Sequence, residues 1–155
     1  ERLEFLGDAV LELAVSEFLF QKFPEKPEGE LTSLRSALVN ADSLAEAGEN
    51  LNLNDYLLLS KGEAKDFGRG RLYILANTYE AVVGAIYTDR GYKQAENFIK
   101  KTLLPKIEEV FKKGLFKDPK SLFQERSQEI SEITPTYKVL EEWGPDHEKQ
   151  FRVGV

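Results

Sequence analysis

ERLEFLGDAV, residues 1–10, opens a pattern that runs on through LELAVSEFLFQK to residue 22 and decides the fold. Apolar and charged residues recur there at helical rather than strand spacing, so residue 3 to about residue 22 is expected to form one long amphipathic helix. At about 100° per residue, Glu1, Glu4 and Asp8 fall within an arc of about 60° on one face. Leu3, Leu6, Val10 and Leu13 are expected on roughly the opposite side. Three carboxylates on one stripe repel one another unless water or a cation compensates. Two readings stay open here: a solvated helix face, the commoner origin of such a stripe, and one wall of a cation site.

Working outward, PEKPEG at 24–29 breaks this helix, and a loop follows. Leu34, Leu38, Leu44 and Leu51 place two short helices at about 31–40 and 42–51, with Asp42 as the expected N-cap of the second. Residues 52–70, rich in glycine and charge, read as an irregular connection. Residues 71–89 form a second long helix, ringed almost completely by apolar side chains from Tyr73 to Tyr87, as in a helix at the middle of a bundle. Gly91 ends it, and Tyr92 to about Phe111 continues as helix with a break at Pro105.

The pattern changes after Lys113. Residues 114–118 read as a linker between an all-helical domain at 1–113 and a smaller αββ unit at 119–155. That unit has one helix, from about Pro119 to Ile130, and two alternating strands, YKVLEEW and KQFRVGV, joined by GPDHE. The fold class is therefore mainly α, followed by an α+β fragment too short to close a core.

The second long helix shifts the balance between the two readings of the carboxylate stripe. Asn77 and Glu80 stand three residues apart on a helix that is otherwise nearly all apolar, and an unpaired buried carboxylate is costly. A divalent cation between the two helices relieves both the stripe and Glu80. Oxygen donors without His or Cys point to Mg²⁺ or Mn²⁺ rather than zinc. Gly84, seven residues after Asn77 and on the same face, lets another backbone or a substrate approach closely. A site of this chemistry suits hydrolysis of a phosphodiester.

Composition restricts the alternatives. The chain has 155 residues and no cysteine, which excludes disulfides, a thiolate zinc site and a cysteine nucleophile, and makes cytoplasm the default location. No apolar run approaches the roughly 20 residues of a membrane span. The chain starts without methionine or a secretory pattern and reads as an excerpt of a longer protein. Its net charge of −6 is unusual for a nucleic-acid protein. Carboxylates that hold cations reconcile the two, since the cations then meet the phosphates.

ERLEFLGDAV closely resembles the signature segment of the ribonuclease III family, and ILANTYEAVVGAIYTDRG at 74–91 resembles that family's second conserved block. PEGELTSLRSALVN resembles the intervening family helix. DPKSLFQERSQ with YKVLEEWGPDHEKQF resembles the start of a double-stranded RNA-binding domain. The resemblance covers nearly the whole chain and implies a Mg²⁺-dependent endoribonuclease that cuts double-stranded RNA and processes structured precursors. It implies that Glu4, Asp8 and Glu80 bind the metal, with Asn77 beside them, and that Glu1 and Glu28 assist. It implies a homodimer in which Phe5, which its own helix does not obviously bury, packs into the other subunit. It also implies that Ser121, Gln124, Glu125 and Gln128 meet one RNA minor groove and that the turn carrying His147 reaches the next. The family's first catalytic-domain helix and the later basic helix of its RNA-binding domain are absent from this stretch.

The chain departs from the family's pattern in two places. Asn77 stands where Asp is usual, which keeps a carbonyl oxygen but removes a charge. Leu72-Tyr73 replaces a common Glu-Ser pair, with no consequence that can be assigned. Two further readings remain: a non-catalytic double-stranded RNA-binding protein with a weakened centre, and a helical scaffold with an acidic surface, whose thermal stability would not respond to Mg²⁺.

Overall fold

The computed structural model describes residues 1–63, 68–114, 119–145 and 149–155. The chain resolves into two compact units, Glu1–Phe116 and Lys117–Val155. Among the described residues no helix is long and apolar enough to cross a membrane.

Every regular element in the described part of the first unit is helical: α1 (Arg2–Lys22), α2 (Glu28–Val39), α3 (Ala41–Asn50), α4 (Arg69–Arg90), α5 (Tyr92–Thr102) and α6 (Ile107–Lys113), with 3-10 turns at Leu53–Tyr56 and Leu104–Lys106. Pro105, which lacks an N–H and cannot continue a helical ladder, lies in the second of these turns and separates α5 from α6. Gly91 ends α4 with a left-handed φ of 75°, and its N–H closes on the Tyr87 carbonyl at 2.8 Å.

Two helix starts differ from expectation. α2 begins at Glu28 rather than Leu31, because Pro27 takes the extended cap position and puts Glu28 and Glu30 in the first turn, where the helix dipole favours carboxylates. The N-cap of α3 is Asn40, not Asp42: the Asn40 side chain accepts the Ser43 N–H at 2.8 Å.

α4 is packed between α1 and α3 and also meets α5. Leu11, Val15, Leu19, Leu34, Leu38, Leu44, Tyr79, Val83, Ile99, Leu103 and Val110 form one continuous core around it. Tyr79 is wholly buried, yet its hydroxyl is satisfied by Thr102 Oγ1 at 2.7 Å, and its ring stacks on Phe98. At the bundle surface, the buried Glu96 carboxylate is held by Lys93 Nζ at 2.7 Å and by Lys100, and these two cations, Lys100 foremost, keep it below the usual carboxylate range.

Both long helices bury different faces from those their patterns suggested. On α1 the buried stripe is Gly7, Val10, Leu11, Ala14, Val15 and Leu19. Leu3 and Leu13 are exposed, so the core lies beside the carboxylates rather than opposite them. On α4 only Leu75, Ala76, Tyr79, Val83 and Gly84 are buried, while Tyr73, Asn77 and Ala85 face out. The apolar ring around α4 is therefore not a sign of all-round burial in the single chain.

The second unit contains α7 (Pro119–Ser131) and the antiparallel strands β1 (Lys138–Trp143) and β2 (Gln150–Gly154). Lys138 stands opposite Gly154 and Trp143 opposite Gln150, with the register interrupted between Val139 and Glu141. Val139, Leu140, Trp143, Phe151 and Val153 are exposed on this two-stranded ribbon. Of the connecting GPDHE, residues 146–148 lie outside the described residues.

Candidate metal centre

The centre is built where α1 crosses α4, and two glycines determine how close that crossing is. A Cβ added at Gly7 would sit 1.8 Å from the Glu80 carbonyl oxygen and 2.9 Å from the Gly84 nitrogen. A Cβ added at Gly84 would sit 2.1 Å from the Leu3 carbonyl oxygen and 3.1 Å from the Gly7 nitrogen. The two backbones are therefore in direct contact, which only glycine permits. Gly84 was legible from sequence as a point of close approach. Gly7 was not singled out, although a glycine inside an otherwise strong helix is the signal that finds it.

Glu4 and Asp8 flank Gly7 on α1, and Glu80 lies one turn before Gly84 on α4. Contact between the backbones thus brings carboxylates of two helices into one field. Glu80 is half-buried, not fully enclosed. Its carboxyl is pushed up to about 7, first by desolvation and then by the charges of Asp8 and Glu4. Two members of the acidic stripe, Glu4 and Asp8, therefore act on a carboxylate of the other helix, which has no cationic partner among the described contacts.

Asn77 is exposed one turn before Glu80. Glu1 is exposed and immediately precedes α1. Glu28 does not join the cluster within one chain. It heads α2, accepts a hydrogen bond from Thr32 Oγ1 at 3.0 Å, and borders a groove whose α1 wall runs from Leu13 to Phe20, beyond Asp8. Arg35 fixes that part of α2 to α1 through Glu12 at 2.8 Å and Ser16 at 2.9 Å. Phe5 is 82% exposed, so its own chain leaves the ring uncovered. In the second unit, Gln124 is half-buried, and Gln128 is exposed and accepts from Thr134 at 3.1 Å. The side chains of Ser121 and Glu125, and all of His147, lie outside the described residues.

Among the described residues no three His, Cys, Asp or Glu side chains stand close enough to enclose an ion unaided. The donor chemistry nevertheless fits Mg²⁺, which retains several waters and takes only one or two carboxylates from a protein. Glu4, Asp8 and Glu80 are the groups that would hold it, one or two directly and the rest through its waters, with the Asn77 carbonyl oxygen at the rim.

Raising a carboxyl's pKa on folding makes the protonated form the favoured one in the native state. Glu80 therefore stabilises the fold below about pH 4.5, and this contribution is lost as pH rises through about 7. In chelator, Glu80→Gln is expected to match wild type near pH 4.5 and to exceed it near pH 8. Because Glu80 is half open to water, the gap is on the order of 1 kcal/mol. Thermal melts of both proteins across this range measure it, and a gap that does not change with pH would show that Glu80 is outside the acidic field.

An all-helical unit whose two longest helices cross backbone to backbone and pool their carboxylates has the architecture of a helical nuclease domain. A family model described as Ribonuclease-III-like matches residues 1–107, and the chain belongs to the ribonuclease III family. It is 45% identical to Ribonuclease 3 of Nitratiruptor sp. over all of this chain and 69% of that protein. It is 46% identical to Ribonuclease 3 of Borreliella burgdorferi over 99% of this chain and 62% of the relative. The chain thus spans about two thirds of the length of such relatives. Among solved structures, the nuclease domain of ribonuclease III from Campylobacter jejuni, studied for flexibility in a region involved in dimer formation, matches with a TM-score of 0.63 and 45% identity, over 66% of this chain and 71% of that one. Dicer from Pichia stipitis matches with a TM-score of 0.62 and 28% identity, over 99% of this chain and 74% of that one.

Proposed function

We propose that this chain is the core of an endoribonuclease that hydrolyses phosphodiester bonds of double-stranded RNA with Mg²⁺, Mn²⁺ being able to replace it, in the cytoplasmic processing of structured ribosomal, messenger and other precursors. The observation that carries the reading is the α1–α4 crossing, where partial burial first, and then the charges of Asp8 and Glu4, push Glu80 up to about 7. A bound divalent ion supplies charge to the phosphate, activates water and stabilises the leaving oxygen. Glu4, Asp8 and Glu80 hold and orient that ion's shell, and the half-buried place of Glu80 limits competing water. Glu80 must lose its proton to hold the ion, so Mg²⁺ affinity is expected to rise with pH.

In the same reading Phe5, exposed beside the carboxylates, inserts into a second copy, so that a homodimer presents one centre to each RNA strand. Glu1 assists from the turn before Glu4. Glu28, which a single chain keeps apart from the cluster, comes to the centre in the assembled dimer with RNA. The α7 face of Ser121, Gln124, Glu125 and Gln128 and the turn with His147 hold the duplex through its minor grooves.

The test is cleavage of a simple RNA duplex by the protein with and without Mg²⁺. Mg²⁺-dependent staggered cuts with short 3′ overhangs are expected, and duplex binding without cleavage would overturn the enzymatic reading. Asn77→Asp should lower the Mg²⁺ concentration for half-maximal cleavage about five- to tenfold, since one more charge near the ion contributes on the order of 1 kcal/mol in a wet site. An unchanged requirement would place residue 77 outside the ion's reach.

A further inference from the structure

We infer that Gly7 and Gly84 are positioning residues that set the span between the two carboxylate-bearing helices, and through it the size of cation the centre prefers. The inference rests on the reading of that centre as a divalent-cation site. Gly7 lies between Glu4 and Asp8 in the chain, and Gly84 lies one turn from Glu80, so the point of backbone contact is bracketed by the ion-holding groups. The atoms that a Cβ would meet, at 1.8 Å and 2.1 Å, are backbone carbonyl oxygens. A backbone carbonyl cannot swing aside as a side chain does, so alanine at either position must drive the helices apart.

A second glycine contact on the same helix provides the contrast. Gly48 of α3 also faces α4, but its added Cβ would lie 3.4 Å from the Leu75 carbonyl oxygen, a distance that a small adjustment absorbs. Among the described glycines, a Cβ would meet backbone closer than 3.0 Å only at Gly7 and Gly84, beside the carboxylates. Cation choice responds to such a span: Mg²⁺ requires oxygens at about 2.0–2.1 Å in near-ideal octahedral geometry, whereas Ca²⁺ accepts about 2.3–2.6 Å and a looser shell.

The experiment measures binding rather than turnover. Wild type, Gly84→Ala and Gly48→Ala are titrated with Mg²⁺ and with Ca²⁺ by calorimetry, and thermal midpoints are followed in parallel. Gly84→Ala is expected to lose Mg²⁺ affinity about tenfold and Ca²⁺ affinity much less, moving the Mg²⁺/Ca²⁺ ratio at least about fivefold toward Ca²⁺. Gly48→Ala should leave the ratio where it is. Asp8→Glu, at an exposed position that does not endanger the fold, is the second variant. Alone it should weaken Mg²⁺ several-fold, and joined to Gly84→Ala it should recover part of the loss by reaching across the widened span. Wild type that binds neither ion would remove the cation centre itself. Wild type that binds Mg²⁺ while Gly84→Ala keeps the same ratio would overturn the positioning role alone. So would a Gly84→Ala protein that stays unfolded in both ions, because the contact would then hold the fold and not the span.

Discussion

Asp8→Ala combined with Glu80→Ala is expected to reduce cleavage of an RNA duplex at saturating Mg²⁺ by at least about a thousandfold, while leaving the fold intact. The loss is large because the pair contributes one carboxylate from each side of the crossing, and removing both leaves only Glu4 and the Asn77 carbonyl oxygen to hold an ion. The fold survives because Asp8 is exposed and Glu80 half-buried, so neither leaves a cavity in the core. Removing two mutually repelling charges should even make the metal-free protein slightly more stable above pH 7. Multiple-turnover cleavage together with a melt in chelator decides the matter. Cleavage within tenfold of wild type, with a normal melt, would place the chemistry elsewhere.

The second large effect is one of stability and depends on which face of α1 is inside. Leu11→Ala should destabilise the metal-free protein by roughly 2–5 kcal/mol, lowering its thermal midpoint by about 10–20 °C, since Leu11 is fully buried among core side chains that cannot collapse into its space. Leu13→Ala, two residues on, should change it by less than about 0.5 kcal/mol, because Leu13 is 58% exposed. Paired melts or denaturant titrations of the two variants give the answer. Equal losses would mean that Leu13 is covered in solution.

This contrast also shows where sequence reasoning reached its limit. The helices were legible because proline and glycine punctuate them: the second long helix, expected at 71–89, is Arg69–Arg90, and Pro105 interrupts the chain where expected. The carboxylates Glu4, Asp8 and Glu80 were legible because their spacing is local to each helix. The orientation of α1 was not. An apolar stripe is read from side chains, whereas the decisive contact of α1 is made by Gly7, which has none. Leu13 therefore looked like core and is not. The cap of α3 was ambiguous in kind, since Asn40 and Asp42 are both good caps and only the backbone at Asn40, extended at ψ 161°, selects one. The place of Glu28 depends on how α2 returns along α1 through Arg35 and Glu12, a pairing between separate helices that spacing along one helix does not reveal.

The glycine contact also dictates an order of events during folding. Gly7 and Gly84 close a loop of about 77 residues, so their meeting costs roughly 4 kcal/mol of chain entropy that no local interaction offsets, and the carboxylates on either side oppose it further. Helices α1, α2 and α3 are made and can pair before α4 exists, yet α1 carries Glu4 and Asp8 without Glu80, so none of them completes the acidic cluster. A growing chain therefore carries only the α1 share of the proposed centre until α4 is made, and so spares any RNA nearby, including the ribosome that is making it. The centre appears only when α4 docks.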